Sequence, residues 1–152
     1  MCDVTIRRKA EADCGGIGAV ADLLPEWFTP TARERIPVDA GFGEGVVAVL
    51  NGQIVGFVLF FVWEAVGHIS WIGVHPDHHR RGIGRRLLEH VEATLKEGGV
   101  GRLEVQTLSE SVDYEPYERT RAFYTSVGFE PYRRQQHDNP ECPESLDMRK
   151  AL

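Results

Sequence analysis

Cysteine is scarce in this chain: Cys2, Cys14 and Cys142 are the only three in 152 residues. Their odd number and the lack of a CxxC spacing exclude a disulfide framework and a zinc ribbon and predict reduced structural thiols. Long apolar runs are missing too. The longest, Ile54 to Trp63, is broken by Gly56 and has about half the ~20 residues of a membrane-spanning helix, so no such helix and no membrane partner is expected. The opening Met1-Cys2-Asp3-Val4-Thr5-Ile6-Arg7 lacks the apolar core of an export signal, which predicts a cytoplasmic protein. Positive charge is in deficit, with 17 Lys and Arg against 23 Asp and Glu and a net charge of −6. The molecule as a whole would repel a nucleic-acid backbone, so a neutral or cationic partner is expected and no nucleic acid. Internal repeats, low-complexity stretches and linkers are absent as well, and residues 1–152 read as a single domain of ordinary globular composition.

What is present is a clear succession of periods. Val4 to Arg8 alternates as a first strand. Ala10 to Leu24 is helical but weakened by Gly15, Gly16 and Gly18, and Pro25 stops it. Thr29-Pro30 pairs an N-cap with proline at the first helical position and opens a short helix to about Ile36, followed by a glycine-rich bend over Gly41 to Gly45. Val46 to Leu50, the Asn51-Gly52 turn and Gln53 to Trp63 form a hairpin, and His68 to Val74 adds a fourth strand that ends before Pro76. The period then changes: Ile83, Leu87, Leu88, Val91 and Leu95 mark a helix that Gly98-Gly99 stops. A strand over Arg102 to Leu108, a helix over Tyr117 to Val127, and strands over Phe129 to Arg134 and Ser145 to Lys150 complete an α+β order with helices on both faces of the sheet.

Between the fourth strand and the strong helix lies His79-Arg80-Arg81-Gly82-Ile83-Gly84. A strand-to-helix turn with these glycines exposes backbone N–H groups at a helix N-terminus, which attracts phosphate. Arg80, Arg81, Arg85 and Arg86 surround it. The turn fits neither a dinucleotide fingerprint, because the first glycine is absent, nor a P-loop, because no Lys-Ser/Thr pair follows. His75, Asp77, His78 and His79 cluster without a regular element to hold them in tetrahedral geometry, so no metal site is expected.

Val74-His75-Pro76, the glycine turn and Leu87-Leu88 together resemble the acetyl-CoA-binding motif Q/R-x-x-G-x-G/A of the GNAT acetyltransferases. Arg121-Ala122-Phe123-Tyr124-Thr125-Ser126-Val127-Gly128-Phe129 is similar to that family's second signature. Two positions depart from the pattern: His79 occupies the Q/R site, and Tyr117 stands where many members have asparagine. The resemblance covers essentially the whole chain. It implies a mixed, mostly antiparallel sheet of about seven strands, splayed between strands four and five and bulged near Ile72 to Val74.

The same resemblance implies acetyl-CoA as co-substrate, held by Ile72, Gly73, Val74, His79, Arg80, Arg81, Gly82, Ile83, Gly84 and Arg85, with the Ile72 backbone N–H on the acetyl oxygen. It places Tyr124 as the acid for the departing thiolate and His68, eleven residues before the Q/R position, as the base, with Glu64 and Glu104 as rivals. Trp27, Phe28, Tyr114, Tyr117 and the loop from Asn139 to Pro143 would line the acceptor mouth. Aromatic faces with nearby carboxylates suit a small primary amine. The expected activity is direct N-acetyl transfer in a ternary complex, since no cysteine is placed for a covalent route. The alternatives are a CoA-binding sensor without turnover and a transferase acting on a protein or peptide amine. A homodimer is compatible with every one of these readings.

Overall fold

The structure, a computed structural model, describes residues 3–152, so Cys2 lies outside the described residues. β1 (Thr5–Arg8) pairs with β2 (Glu44–Leu50), which forms a hairpin with β3 (Gln53–Trp63). Asn51 and Gly52 both take positive φ, 51° and 76°, as a two-residue turn between twisted strands requires. β4 (Val66–Val74) comes next, then β5 (Arg102–Leu108), β6 (Glu130–Gln136) and β7 (Glu144–Ala151). The seven strands lie in the order β1-β2-β3-β4-β5-β7-β6. All ladders are antiparallel except β4 with β5.

Four helices cover the sheet. α1 (Cys14–Asp22), entered through a 3-10 turn at Glu11–Asp13, and α2 (Pro30–Phe42) cover one face. α3 (Ile83–Glu97) and α4 (Glu115–Ser126) are on the other. The centre of β3 is buried on both sides: Phe57 and Leu59 pack beneath α1 and α2, while Val58 and Phe60 pack beneath α3. That double burial explains its unbroken apolar run. The five apolar positions that set the period of α3 are all buried at 3% exposure or less.

α2 departs from the expected stop near Ile36. Thr29 Oγ accepts from the Ala32 N–H at 3.2 Å, as an N-cap should, but the helix runs through Pro37 to Phe42. Proline removes one helical bond. Packing offsets that loss, because Gly18 on α1 leaves room for the Pro37 ring, which stands 3.3 Å from where a Cβ would be.

The parallel β4–β5 ladder sets the shape of the site. It contains three pairs, Gly67 with Leu103, His68 with Glu104 and Ile69 with Val105, and then the strands part. The irregularity in β4 falls at Ser70 rather than at Ile72–Val74, since Leu59 pairs with Trp71 while Phe60 pairs with Ile69. A bulge bends its strand and raises the local twist, which turns β4 away from β5 at the point where pairing ends.

Candidate functional site

The gap between the parted strands is a cleft of about 700 Å³. β4 contributes Ser70 to Val74, β5 contributes Val105, Gln106 and Thr107, and α4 contributes Phe123 and Tyr124. The entry to α3 contributes His79, Arg80, Gly82, Ile83, Gly84 and Arg85, and the α1–α2 connection and α4 contribute Trp27, Phe28 and Tyr117, with the Trp27 and His79 rings meeting edge-on at 5.7 Å.

At the β4 wall, the His75 N–H donates to Val55 O at 2.8 Å. Alternation along an antiparallel ladder therefore turns the N–H groups of Trp71 and Gly73 toward β3 and those of Ile72 and Val74 toward the open side. Val74 O on that side is taken by the His79 ring, whose Nε2 lies 2.7 Å away. A carbonyl only accepts, so Nε2 carries the hydrogen. Gly73 keeps β4 against the α1 side: a Cβ there would stand 2.9 Å from the Phe57 ring and 3.1 Å from Leu24.

The glycine turn forms the phosphate end. Arg80 and Gly82 both take left-handed conformations, φ 64° and 76°. This arrangement turns successive N–H groups toward one point. The first helical bond runs from Arg86 N–H to Gly82 O at 3.1 Å, which leaves the N–H groups of Ile83, Gly84 and Arg85 without an intrahelical acceptor. Gly84 also lets α3 approach α4, since a Cβ there would stand 3.0 Å from the Phe123 ring. The arginines divide. Arg80 and Arg85 line the cleft, whereas Arg81 is not among its lining residues and Arg86 turns away to donate to Val4 O at 2.9 Å.

Tyr124 is buried, with ring contacts to Phe123 and Phe129 and no hydrogen-bond partner for its hydroxyl. Burial raises its phenol above the ordinary value, with the neighbouring Tyr117 adding to the shift, so it stays protonated at neutral pH. The three candidate bases lie off the cleft lining. Glu64 sits in the exposed β3–β4 turn with φ 48°. Glu104 accepts from the Tyr132 hydroxyl at 2.5 Å and pairs with Arg102 at 2.8 Å. His68 stacks on Phe61, ring centroids 4.9 Å apart. Because Ser70 is the extra residue, His68 and Trp71 point to the same face of β4.

At the acceptor end, the α1–α2 connection is strapped to the start of α4. Trp27 Nε1–H donates to Pro116 O at 3.0 Å, the Tyr117 hydroxyl donates to Trp27 O at 2.7 Å, and the Tyr114 hydroxyl donates to Glu26 O at 2.7 Å. Burial pushes the Tyr117 phenol up to about 12, with Cys142 from the β6–β7 loop adding to the shift. Tyr114 stands outside the lining, its ring tilted 36° against that of Tyr117 at 6.0 Å. Arg119 lies 5.2 Å over Trp27, so one face of the ring expected to meet a cationic amine already carries a guanidinium. Ser70, Gln106, Thr107, Trp71 and Arg119 are lining residues that the sequence motifs did not single out.

The chain matches the family model for the acetyltransferase (GNAT) family over residues 18–129. It is 33% identical over 104 residues to an amino-acid acetyltransferase of Ralstonia nicotianae, an alignment that takes in 67% of this chain and 23% of that protein. The chain thus spans about a quarter of that curated relative. Among solved structures, an acetyltransferase assigned to the GNAT family from Desulfovibrio desulfuricans shares the fold with a TM-score of 0.86 and 22% identity, over 98% of this chain and 99% of that one. A GNAT family acetyltransferase from Elizabethkingia anophelis with acetyl-CoA bound shares it with a TM-score of 0.75 and 22% identity, over 98% of each chain. The turn at Gly82, the Phe-Tyr helix, the splayed strands and the family match agree: this chain belongs to the GNAT acetyltransferases, an acyltransferase family whose co-substrate is acetyl-CoA.

Proposed function

We propose that the protein transfers the acetyl group of acetyl-CoA to a small primary amine, amino acids included, by direct attack within a ternary complex. The observation that carries this reading is one cleft lined together by the turn with the unpaired N–H groups of α3, by the strapped aromatic segment and by the unpartnered Tyr124. The free N–H groups of Ile83, Gly84 and Arg85, with Arg80 and Arg85 beside them, hold the pyrophosphate. The Ile72 N–H receives the acetyl oxygen and stabilises the charge that develops on it. The amine nitrogen bonds to the acetyl carbon and the carbon–sulfur bond breaks. Tyr124 then gives its proton to the departing thiolate, while the proton of the attacking nitrogen leaves toward His68 through water. His68 is preferred over Glu104 because the latter is already engaged by Tyr132 and Arg102.

The strap at Trp27 and Tyr117 supports a small acceptor, because it ties the α1–α2 connection to α4 across two residues that line the cleft. The likeness to an amino-acid acetyltransferase supports the same class. Cys14 and Cys142 stand outside the cleft lining, which favours direct attack over a covalent acetyl-cysteine. The whole of residues 1–152 serves as one unit in this reading, and a homodimer is compatible with it. Release of free thiol from acetyl-CoA, measured across a panel of amino acids, small aliphatic and aromatic amines and peptides, tests the proposal. Turnover with small amines is expected. Turnover with peptides alone would favour the protein-directed alternative, and tight CoA binding with no turnover on any amine would favour the sensor.

A further inference from the structure

Among the described residues, two buried side-chain polar atoms lack any hydrogen-bond partner, His90 Nδ1 and Thr107 Oγ. Thr107 alone of the two lines the cleft. It is 6% exposed, and it lies on β5 two residues past Val105, where pairing with β4 ends. Its backbone is paired on the far side with Leu146 of β7. Its side chain falls on the same face as Val105, toward α3 and α4, and shares the cleft lining with Tyr124. Ser109, two residues on, shows the ordinary outcome for a buried hydroxyl in this strand's extension: it donates to Glu144 at 2.7 Å.

An unpaired buried hydroxyl destabilises the ligand-free fold, and valine, of the same shape and of higher strand propensity, would remove the penalty. The group therefore carries a cost that a hydrogen-bonding ligand in the cleft would offset. We infer that the Thr107 hydroxyl is a positioning group for the acyl donor, forming a hydrogen bond with the amide-bearing arm of CoA as that arm lies between β4 and β5. A hydroxyl both donates and accepts, so it serves either an amide N–H or an amide carbonyl of that arm. The inference rests on the cleft being a CoA site.

The test is Thr107→Val with Thr107→Ser as its control, titrated calorimetrically with CoA and with 3′,5′-ADP, which carries the nucleotide phosphates but no arm. Thr107→Val should weaken CoA by roughly 5–20-fold, leave 3′,5′-ADP within about twofold, and raise the ligand-free Tm by about 2–4 °C. Thr107→Ser keeps the hydroxyl and should hold CoA within about threefold of the wild type. Unchanged CoA affinity in Thr107→Val would overturn the inference, as would an equal loss for CoA and 3′,5′-ADP, which would indicate a distorted cleft. If wild-type protein bound neither ligand, the CoA reading itself would fail and this inference with it, a result distinct from the other two.

Discussion

Ile69 on β4 pairs with Val105 on β5, and neither strand pairs with the other beyond them. Everything proposed for the site depends on that parting. Past it, N–H groups on the inner edge of β4 have no sheet partner, and an extended ligand rich in amides can supply one. The bulge at Ser70 bends β4 at the parting and shifts its register with β3 by one residue, while β4 stays paired with β3 on both sides of the bulge.

Gly82→Asp tests the phosphate end. Gly82 has φ 76° with nothing within 4 Å of a Cβ position, so the change meets no steric block. It adds a negative charge beside the N–H groups meant for pyrophosphate and forces a side chain into the left-handed region. CoA affinity should fall at least about 100-fold in calorimetric titration. Affinity within threefold of wild type would remove the pyrophosphate from this turn.

Tyr124→Phe removes one hydroxyl from a buried ring and leaves its contacts with Phe123 and Phe129. Turnover should drop by about 10²–10³ with the KM for acetyl-CoA within threefold. Since the phenol pKa is raised, the acid form persists as pH climbs, and wild-type activity should show no decline from Tyr124 ionisation up to about pH 9. A variant with undiminished kcat would exclude the acid role.

His68→Ala addresses the base. Alanine removes the ring nitrogen that would take the proton of the attacking amine. The variant should lose roughly tenfold in kcat with the KM for acetyl-CoA within threefold. If kcat is unchanged, Glu104→Gln and Glu64→Gln become the next variants to measure.

Trp27→Ala breaks the strap at its centre, removing the indole bond to Pro116 and the ring contact with His79 at 5.7 Å. The KM for the amine should rise about tenfold or more while kcat falls less than threefold, because the strap shapes the acceptor end and touches no reacting atom. A fall in kcat with constant KM would place Trp27 in the chemical step instead.

Asp13→Asn concerns stability alone. Arg7 reaches Asp13 with two hydrogen bonds of 2.7 and 2.9 Å and the Ala10 N–H adds a third at 2.7 Å. The Arg7 bonds are the largest influence holding this carboxyl below its ordinary value, against the opposing effect of burial. Such a group contributes stability that is fully present above its unfolded pKa of about 3.9 and is lost as pH falls through the lower folded value. Asparagine should lower Tm by about 4–8 °C at pH 7. The gap between variant and wild type should narrow below about pH 4; a gap that stayed constant into acid would show that shape, not charge, matters at this position.

How far each feature could be read from the chain depended on the distance over which its cause acts. The Asn51-Gly52 turn, the period of α3, the Thr29 N-cap and the anion-attracting geometry at Gly82 all arise within a few residues, so local rules of φ, capping and side-chain spacing suffice. The two signatures around Gly82 and Tyr124 carried the family for the same reason. The continuation of α2 through Pro37 was not legible, because what makes it tolerable is a glycine on another helix. Nor were the strap bonds legible, since they join residues about 90 positions apart, or the lone hydroxyl of Thr107, whose neighbours come from segments distant in the chain. The sequence by itself determined the order of strands and helices, the phosphate-attracting turn and the residue types available to the chemistry. Which side chains share the cleft, which of the histidines and glutamates are held outside it, and where β4 leaves β5 were decided by tertiary packing, because burial, hydrogen-bond competition and register are settled only when distant segments meet.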